Sequence, residues 1–269
     1  MPELPEVETI VRDLKERVIG AGIQGVSFLN RSVWRNGKPL SRSLIRKKIE
    51  NIERMGKNIL IHLSNKRTLV IHLKMTGRLT FEDSGAPLVK HTHFAMKLDN
   101  GELRYNDVRR FGYLDLVESS KLDKIDYLAQ LGPDPLLLSE NEFIRIIRSK
   151  RRIMKSLLLD QGIISGLGNI YTDEALFRAG THPRRISSGV SRKRIRRLHH
   201  AIVEVLRNAI EARGSSIGDY VDGSGMPGFY RDFHKVYGRQ GQACFRCGRL
   251  IKREIIGSRS AHFCPRCQR

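Results

Sequence analysis

The chain reads as an α+β protein in three parts. These are an N-terminal β-sandwich-like domain with its first helix packed on it, a helical domain, and a C-terminal cysteine hairpin. Three observations predict this. Leu4, Val7, Val11, Leu14 and Val18 recur at helical spacing, which makes an amphipathic first helix. A long β-rich stretch follows, and after residue 140 the pattern becomes helical. All four cysteines stand close together near the end of the chain.

The elements follow in order. Glu3 and Glu6 share a face at the start of the first helix. NILIHLS (58–64) and TLVIHLKM (68–75) are strand runs joined by a short polar turn. HFAMKLD and GELRYND form a hairpin divided at Asn100-Gly101, and YLDLVE (113–118) ends the β region. Residues 119–140 contain Gly132-Pro133 and Pro135 and read as a linker. NEFIRIIRSKRRIMKSLLLDQ, NIYTDEALFRAG and IRRLHHAIVEVLRNAIEARG are helical runs. The expected boundaries are 1–118, 119–140, 141–238 and 239–269.

Charge narrows the function. Lys and Arg number 49 against 28 Asp and Glu, a net charge of +21. RRISSGVSRKRIRRLHH (184–200) contains no acid, and 239–269 contains only Glu254. Single-sign fields of this kind suit a nucleic-acid backbone; an acidic membrane surface or plain solubility are the alternatives. No apolar run approaches the ~20 residues of a membrane span. The first residues have neither the basic start nor the apolar stretch of a signal peptide. A cytoplasmic protein without membrane attachment is expected.

CFRC (244–247) and CPRC (264–267) give C-x₂-C-x₁₆-C-x₂-C. Two close thiolate pairs suit one tetrahedral structural Zn²⁺ held by Cys244, Cys247, Cys264 and Cys267. A reducing compartment opposes two disulfides, and four protein ligands leave no open position for metal catalysis.

Two stretches could carry chemistry. MPELPEVETI places Pro2 behind Met1 and follows it with Glu3, Glu6 and Glu8. One reading is a helix start, where proline's missing N–H costs nothing and acids complement the positive helix end. The other is that Met1 is removed and the Pro2 nitrogen becomes the working group. QGIISGLGNIYTDEAL (161–176) has glycines at 162, 166 and 168 before a helix, which makes either an anion site or a tight helix–helix turn.

Taken together, PELPEVET, GLGNIYTDEALF and the terminal cysteine pairs resemble the formamidopyrimidine-DNA glycosylase family, enzymes that excise oxidised purines. RMGKNIL (54–60), HLKMTGRL (72–79), YNDVRRFG (105–112), VYGRQGQACFRCG (236–248) and SRSAHFCPRCQ (258–268) extend the match nearly end to end. The resemblance implies a helix–two-turns–helix in the helical domain and a bifunctional glycosylase and AP lyase. It implies duplex DNA with an oxidised purine or abasic site as partner, and a monomer needing no protein partner.

By resemblance, Pro2 is the nucleophile, Glu3 assists sugar opening and proton transfer, and Lys57 contacts the lesion strand. Glu6 and Glu174 support. Met75, Arg109 and Phe111 fill the space left by the extruded nucleotide. His72, Lys155, Asn169 and Arg259 hold phosphates, and GDYVDGSGMPGFYRD (218–232) closes over the base. The bland alternatives are a surface lysine at Lys57, core packing for His72, Met75 and Phe111, and an ordinary loop at 218–232. Ser156 and Val108 replace prolines frequent in the family, which puts local backbone geometry in doubt but no catalytic group.

The nearest rival is an endonuclease VIII-type enzyme acting on oxidised pyrimidines; PELPEVE, not a PEGPE-like start, and VRRF favour the purine enzyme. A silent DNA-binding protein leaves Pro2, Glu3 and Lys57 idle, and a zinc-ribbon RNA-binding protein leaves the N-terminus unexplained.

Overall fold

The computed structural model describes residues 1–37 and 41–269. They divide into two compact units, Met1–Ala129 with Ala212–Phe229, and Gln130–Glu211 with Tyr230–Arg269. The segment 212–229, assigned by the sequence boundaries to the helical domain, therefore packs within the first unit. The expected linker contains a 3-10 turn at Ser119–Lys124 and a helical turn, α2 (Asp126–Ala129), and the boundary between the units falls within it, after Ala129.

The first unit is two four-stranded antiparallel sheets around one core. The strands are β1 (Ile23–Phe28), β2 (Ile49–Met55), β3 (Asn58–Leu63), β4 (Arg67–His72), β5 (Gly77–Glu82), β6 (Thr92–Leu98), β7 (Gly101–Asp107) and β8 (Tyr113–Glu118). Their orders are β1-β6-β7-β5 and β2-β3-β4-β8. Helix α1 (Leu4–Val18) lays Val7, Ile10, Val11, Leu14 and Val18 on this core, as its spacing predicts.

Strands β1, β2 and β5 have no counterpart among the runs picked from the sequence. In β2 the inward residues Ile49 and Ile52 are three apart, a helical spacing; a register shift between Ile49 and Asn51 brings both inward. The expected hairpin is present one residue displaced, with Leu98 opposite Gly101 across Asp99-Asn100. The run drawn through Met75 ends at His72, and Met75 lies in the following turn.

The second unit contains α3 (Glu140–Arg148), α4 (Met154–Leu158), α5 (Asn169–Ala179), α6 (Arg192–Glu211) and the hairpin β9 (Lys252–Ile256)–β10 (Arg259–Phe263). The helical run expected over 141–161 is broken between α3 and α4. There Ile153 bridges Ile186, and the Met154 N–H donates to the Arg185 carbonyl at 2.7 Å. Phe177, Val236, Ile251, Cys244 and Cys264 form a small core under the hairpin. No described helix is long and apolar enough to cross a membrane.

Candidate active site and nucleic-acid interface

Glu3, not Pro2, caps α1, and the prolines within the helix start are served by Pro5. Pro2 stands before the cap and is buried, so the helix-start reading does not account for it. The Glu3 N–H donates to Glu6 Oε2 at 2.7 Å in a capping box. Glu6 Oε1 accepts from the Ser215 N–H at 2.8 Å, which ties the helix start to the 212–229 segment. Both carboxylates are buried. The β2–β3 turn sits against α1 through Arg54. Its Nε donates to Glu8 at 2.9 Å and its Nη1 to the Gly56 carbonyl at 3.2 Å, next to the buried Lys57.

Around Lys57 the first unit builds a cationic ledge. Asn58 pairs with His72, and His72 with Tyr113, across three adjacent strands. Arg35 lies 5.0 Å and Lys74 5.8 Å from the Tyr113 ring centre. Burial, with the charges of Lys74, Lys57 and Arg35, pushes the His72 imidazole down to about 3. Its Nδ1 accepts the Lys74 N–H at 3.0 Å, so the neutral ring carries its proton on Nε2, free to donate one hydrogen bond. Arg35 lies in none of the motifs the sequence offers, and Lys74, inside HLKMTGRL between His72 and Met75, carries no signal of its own.

Met75, Arg109 and Phe111 are brought together and exposed. The Arg109 guanidinium lies 4.5 Å from the Phe111 ring centre, and its Nη1 is 3.4 Å from the Met75 sulfur. This is not core packing: Met75 is 44% and Phe111 53% exposed. The two turns carrying them pass through left-handed backbone at Lys74 (φ 51°) and Arg110 (φ 55°), a conformation that neighbouring contacts must enforce.

Asp107, which the sequence reading did not single out, enforces it. Fully buried, its Oδ1 accepts from the Thr76 hydroxyl and, at 3.2 Å, the Arg109 N–H. Its Oδ2 accepts from the Gly112 N–H at 2.8 Å and the Tyr105 hydroxyl at 3.3 Å. One carboxylate thus clamps both turns. A Cβ on Gly112 would lie 2.1 Å from the Tyr105 hydroxyl and 2.7 Å from the His72 carbonyl, so no larger residue fits. Asp107→Asn turns an NH₂ toward one pair of donors. It is expected to lower unfolding free energy by roughly 1–3 kcal/mol; an unchanged denaturation midpoint would remove the clamp.

The 218–232 loop is divided between the units. Within the first, Asp222 Oδ1 accepts the Ser224 and Met226 N–H groups at 2.9 and 3.0 Å. Arg213 bridges Asp222 and Asp13 at 2.5 and 2.6 Å, which anchors this turn to α1. Tyr230–Phe233 forms a 3-10 turn in the second unit.

In the second unit, Gln161 organises the glycine turn before α5. It donates to the Leu167 carbonyl at 2.8 Å and accepts the Gly166 N–H at 3.0 Å. Asn169 opens α5 and reaches the Ser260 hydroxyl at 3.3 Å. Arg259 is exposed at the hairpin tip, one residue away. Lys155 does not present its charge to solvent. It is fully buried, and Nζ donates to Asp173 at 2.5 Å and to the Ser260 carbonyl at 2.6 Å. Asp173 Oδ2 also accepts the His262 N–H at 2.8 Å. In this structure Lys155 and Asp173 hold the Arg259-bearing strand on α4 and α5. Ser156 lies in the first turn of α4, where an N–H has no intrahelical acceptor, so its replacement of proline leaves no disruption. Val108 is exposed in the 108–112 loop, and its φ is not left-handed.

Glu174 is buried and committed to backbone. Its oxygens accept the N–H groups of Lys235, Val236 and Tyr237 at 2.9, 2.9 and 2.8 Å. Burial pushes its carboxyl up, opposed by these three donors. Its observed partners are the segment leading into the cysteine hairpin.

The cysteine sulfurs lie within 4.8 Å of one another, with Cys244–Cys267 at 3.9 Å and Cys247–Cys264 at 3.5 Å. Tetrahedral Zn–S bonds place sulfurs about 3.8 Å apart. The Arg246 and Cys267 N–H groups each point at a sulfur at 3.4 Å, which favours thiolates. The cluster fits one structural zinc.

Family models match the same parts of the chain. The formamidopyrimidine-DNA glycosylase N-terminal domain matches 1–114, the formamidopyrimidine-DNA glycosylase H2TH domain 131–221, and the zinc finger found in FPG and IleRS 241–269. The formamidopyrimidine-DNA glycosylase of Solibacter usitatus is 45% identical over 271 residues, all of both chains.

The chain belongs to the formamidopyrimidine-DNA glycosylase family.

Its activity class is therefore base excision in DNA repair. Two solved structures show the same fold at 35% identity and TM-score 0.92. One is wild-type Lactococcus lactis Fpg with N7-benzyl-Fapy-dG DNA, covering 100% of each chain. The other is Lactococcus lactis Fpg with DNA containing an abasic site, covering 99% of each chain.

Proposed function

We propose that this member excises oxidised purines, 8-oxoguanine and formamidopyrimidines, from duplex DNA and then cleaves the strand as an AP lyase, with Pro2 as nucleophile. The observation that carries this reading is Pro2 itself. It is buried before a helix cap that does not use it, beside buried Glu3.

Met1 must first be removed, because an amide nitrogen has no lone pair to give; Pro2 is small enough to permit trimming. A free α-amine has a pKa of about 7.7–8.0, so a useful fraction is unprotonated at neutral pH. Its nitrogen bonds to C1′ of the extruded nucleotide as the bond to the base breaks. Glu3 delivers a proton to the ring oxygen as the C1′–O4′ bond opens, and a secondary amine then becomes a cationic iminium. That cation acidifies the C2′ hydrogen. Loss of this proton expels the 3′ phosphate, and a second elimination expels the 5′ phosphate.

Extrusion costs a few kcal/mol of stacking and pairing. Met75 and Phe111 supply apolar wedges, and Arg109 between them supplies donors for the orphaned base. Lys57 and the Nε2–H of neutral His72 serve the lesion-strand phosphates, as do Asn169 and Arg259 from the second unit. Lys155 acts on them through Ser260. The 218–226 turn covers the extruded base, and the Asp13–Arg213–Asp222 bridge positions its base. The reaction is assigned to the bacterial cytoplasm and to a monomer, since its chemistry needs duplex DNA and no protein partner.

A duplex with one 8-oxoguanine opposite cytosine tests the reading. The expected product is a one-nucleotide gap with phosphate at both ends. Free base with an intact strand would exclude the lyase, and turnover of oxidised pyrimidines alone would favour the endonuclease VIII-type rival.

A further inference from the structure

At the end of the hairpin away from Arg259, the second unit contains a cleft of about 420 Å³ lined by Arg249, Lys252, Pro265, Arg266 and Arg269. Lys252 pairs with Phe263 at one end of the hairpin, and Ile256 with Arg259 at the other. Four strand steps separate them, about 14 Å. The cleft is built on the cysteine frame. The Arg249 carbonyl accepts the Cys244 N–H at 2.9 Å, and Arg266 lies between Cys264 and Cys267. The Arg269 backbone is held on both sides: its N–H donates to Gly180 at 3.1 Å, and its carbonyl accepts from Arg194 at 3.3 Å.

All four cations are exposed, and none is ion-paired among the described residues. Glu254, the only acid in 239–269, is taken by Arg184 at 2.8 Å. Four like charges in one cleft repel each other and suit a polyanion. The lining offers no aromatic ring for stacking a base and no apolar anchor of the kind protein interfaces use. Three arginines with planar donor forks match phosphate oxygens. A separation of about 14 Å exceeds the Debye length of about 8 Å at physiological salt, so these charges are largely screened from a duplex held at the tip.

We propose that this cleft is a second phosphate-backbone site, which engages a DNA segment other than the one at the hairpin tip and lets the protein pass directly between segments. The inference rests on the DNA-acting function proposed above.

The test compares the unaltered protein with an Arg249→Ala/Lys252→Ala/Arg266→Ala variant. Dissociation from a short labelled lesion duplex is followed against rising concentrations of unlabelled duplex. For the unaltered protein, dissociation accelerates with competitor concentration. In the variant this dependence disappears, while short-duplex affinity, excision and one zinc per chain are retained. An Arg249→Lys/Arg266→Lys variant, which keeps the charge, retains transfer.

Unchanged competitor dependence in the alanine variant overturns the proposal, as does a parallel loss of short-duplex affinity, which would place these residues in the first footprint. Weakened binding of polyglutamate with DNA transfer intact assigns the cleft to an acidic protein and also overturns it. If the unaltered protein fails to bind the short duplex, the DNA-acting reading itself falls.

Discussion

Replacing Pro2 with glycine is expected to reduce base excision by about 10²-fold or more while leaving lesion-DNA affinity nearly unchanged. Glycine keeps an α-amine but loses two things the reaction uses. Its primary amine gives an iminium that can shed the N–H proton and with it the charge that acidifies C2′, and it lacks the ring that fixes the nitrogen's approach. A misplacement of about 1 Å is enough for a loss of this size. Binding survives because Met75, Arg109, Phe111 and the cationic ledge lie on other elements. Single-turnover excision beside equilibrium binding separates the two effects. Full excision by the glycine variant would leave Pro2 a merely structural residue.

Removing zinc, by chelation or by Cys264→Ser, is expected to melt the hairpin. Its core contains Phe177, Val236, Ile251 and two of the cysteines themselves, too few side chains to hold without metal. Zinc-finger peptides take about 10–16 kcal/mol of apparent folding free energy from the ion. The loss spreads inward. Lys155 and Asp173, both fully buried, lose the Ser260 carbonyl and the His262 N–H, which leaves an ion pair short of two partners. Losing the phosphate contact proposed for Arg259, a hydrogen bond to a charged group, is expected to weaken DNA binding by about 10- to 150-fold. Hydrogen exchange over 239–269 with zinc release monitored in parallel is the check. Continued protection after complete release would exclude a structural role for the metal.

Much of this was legible in the sequence because it depends on local pattern. The α1 stripe, the Asn100-Gly101 hairpin and the paired cysteines each carry their own signal within a few residues. Strands β1, β2 and β5 were not, since Gly25 interrupts the first and the Ile49/Asn51 bulge disguises the alternation of the second. The site divides in the same way. Pro2, Glu3 and the three wedge residues fall in motifs that can be read in order. How they are held does not show there, even though Thr76 and Asp107 stand inside the same motifs. Thr76 and Asp107 are 31 positions apart, Lys155 and Ser260 are 105 apart, and only the folded chain brings each pair together. Lys155 and Glu174 look available in the sequence for a like reason, whereas folding brings one to Asp173, 18 positions on, and the other to three backbone N–H groups 61 to 63 positions on.

The central claim is the covalent role of Pro2, and borohydride trapping tests it most directly. The chain, with Met1 removed, is incubated with a duplex bearing one 8-oxoguanine opposite cytosine, reduced during turnover, digested, and the adducted peptide sequenced by mass spectrometry. The account predicts a reduced adduct on the peptide beginning at Pro2. An adduct on Lys57 or another lysine, or strand cleavage with no adduct at all, would contradict it.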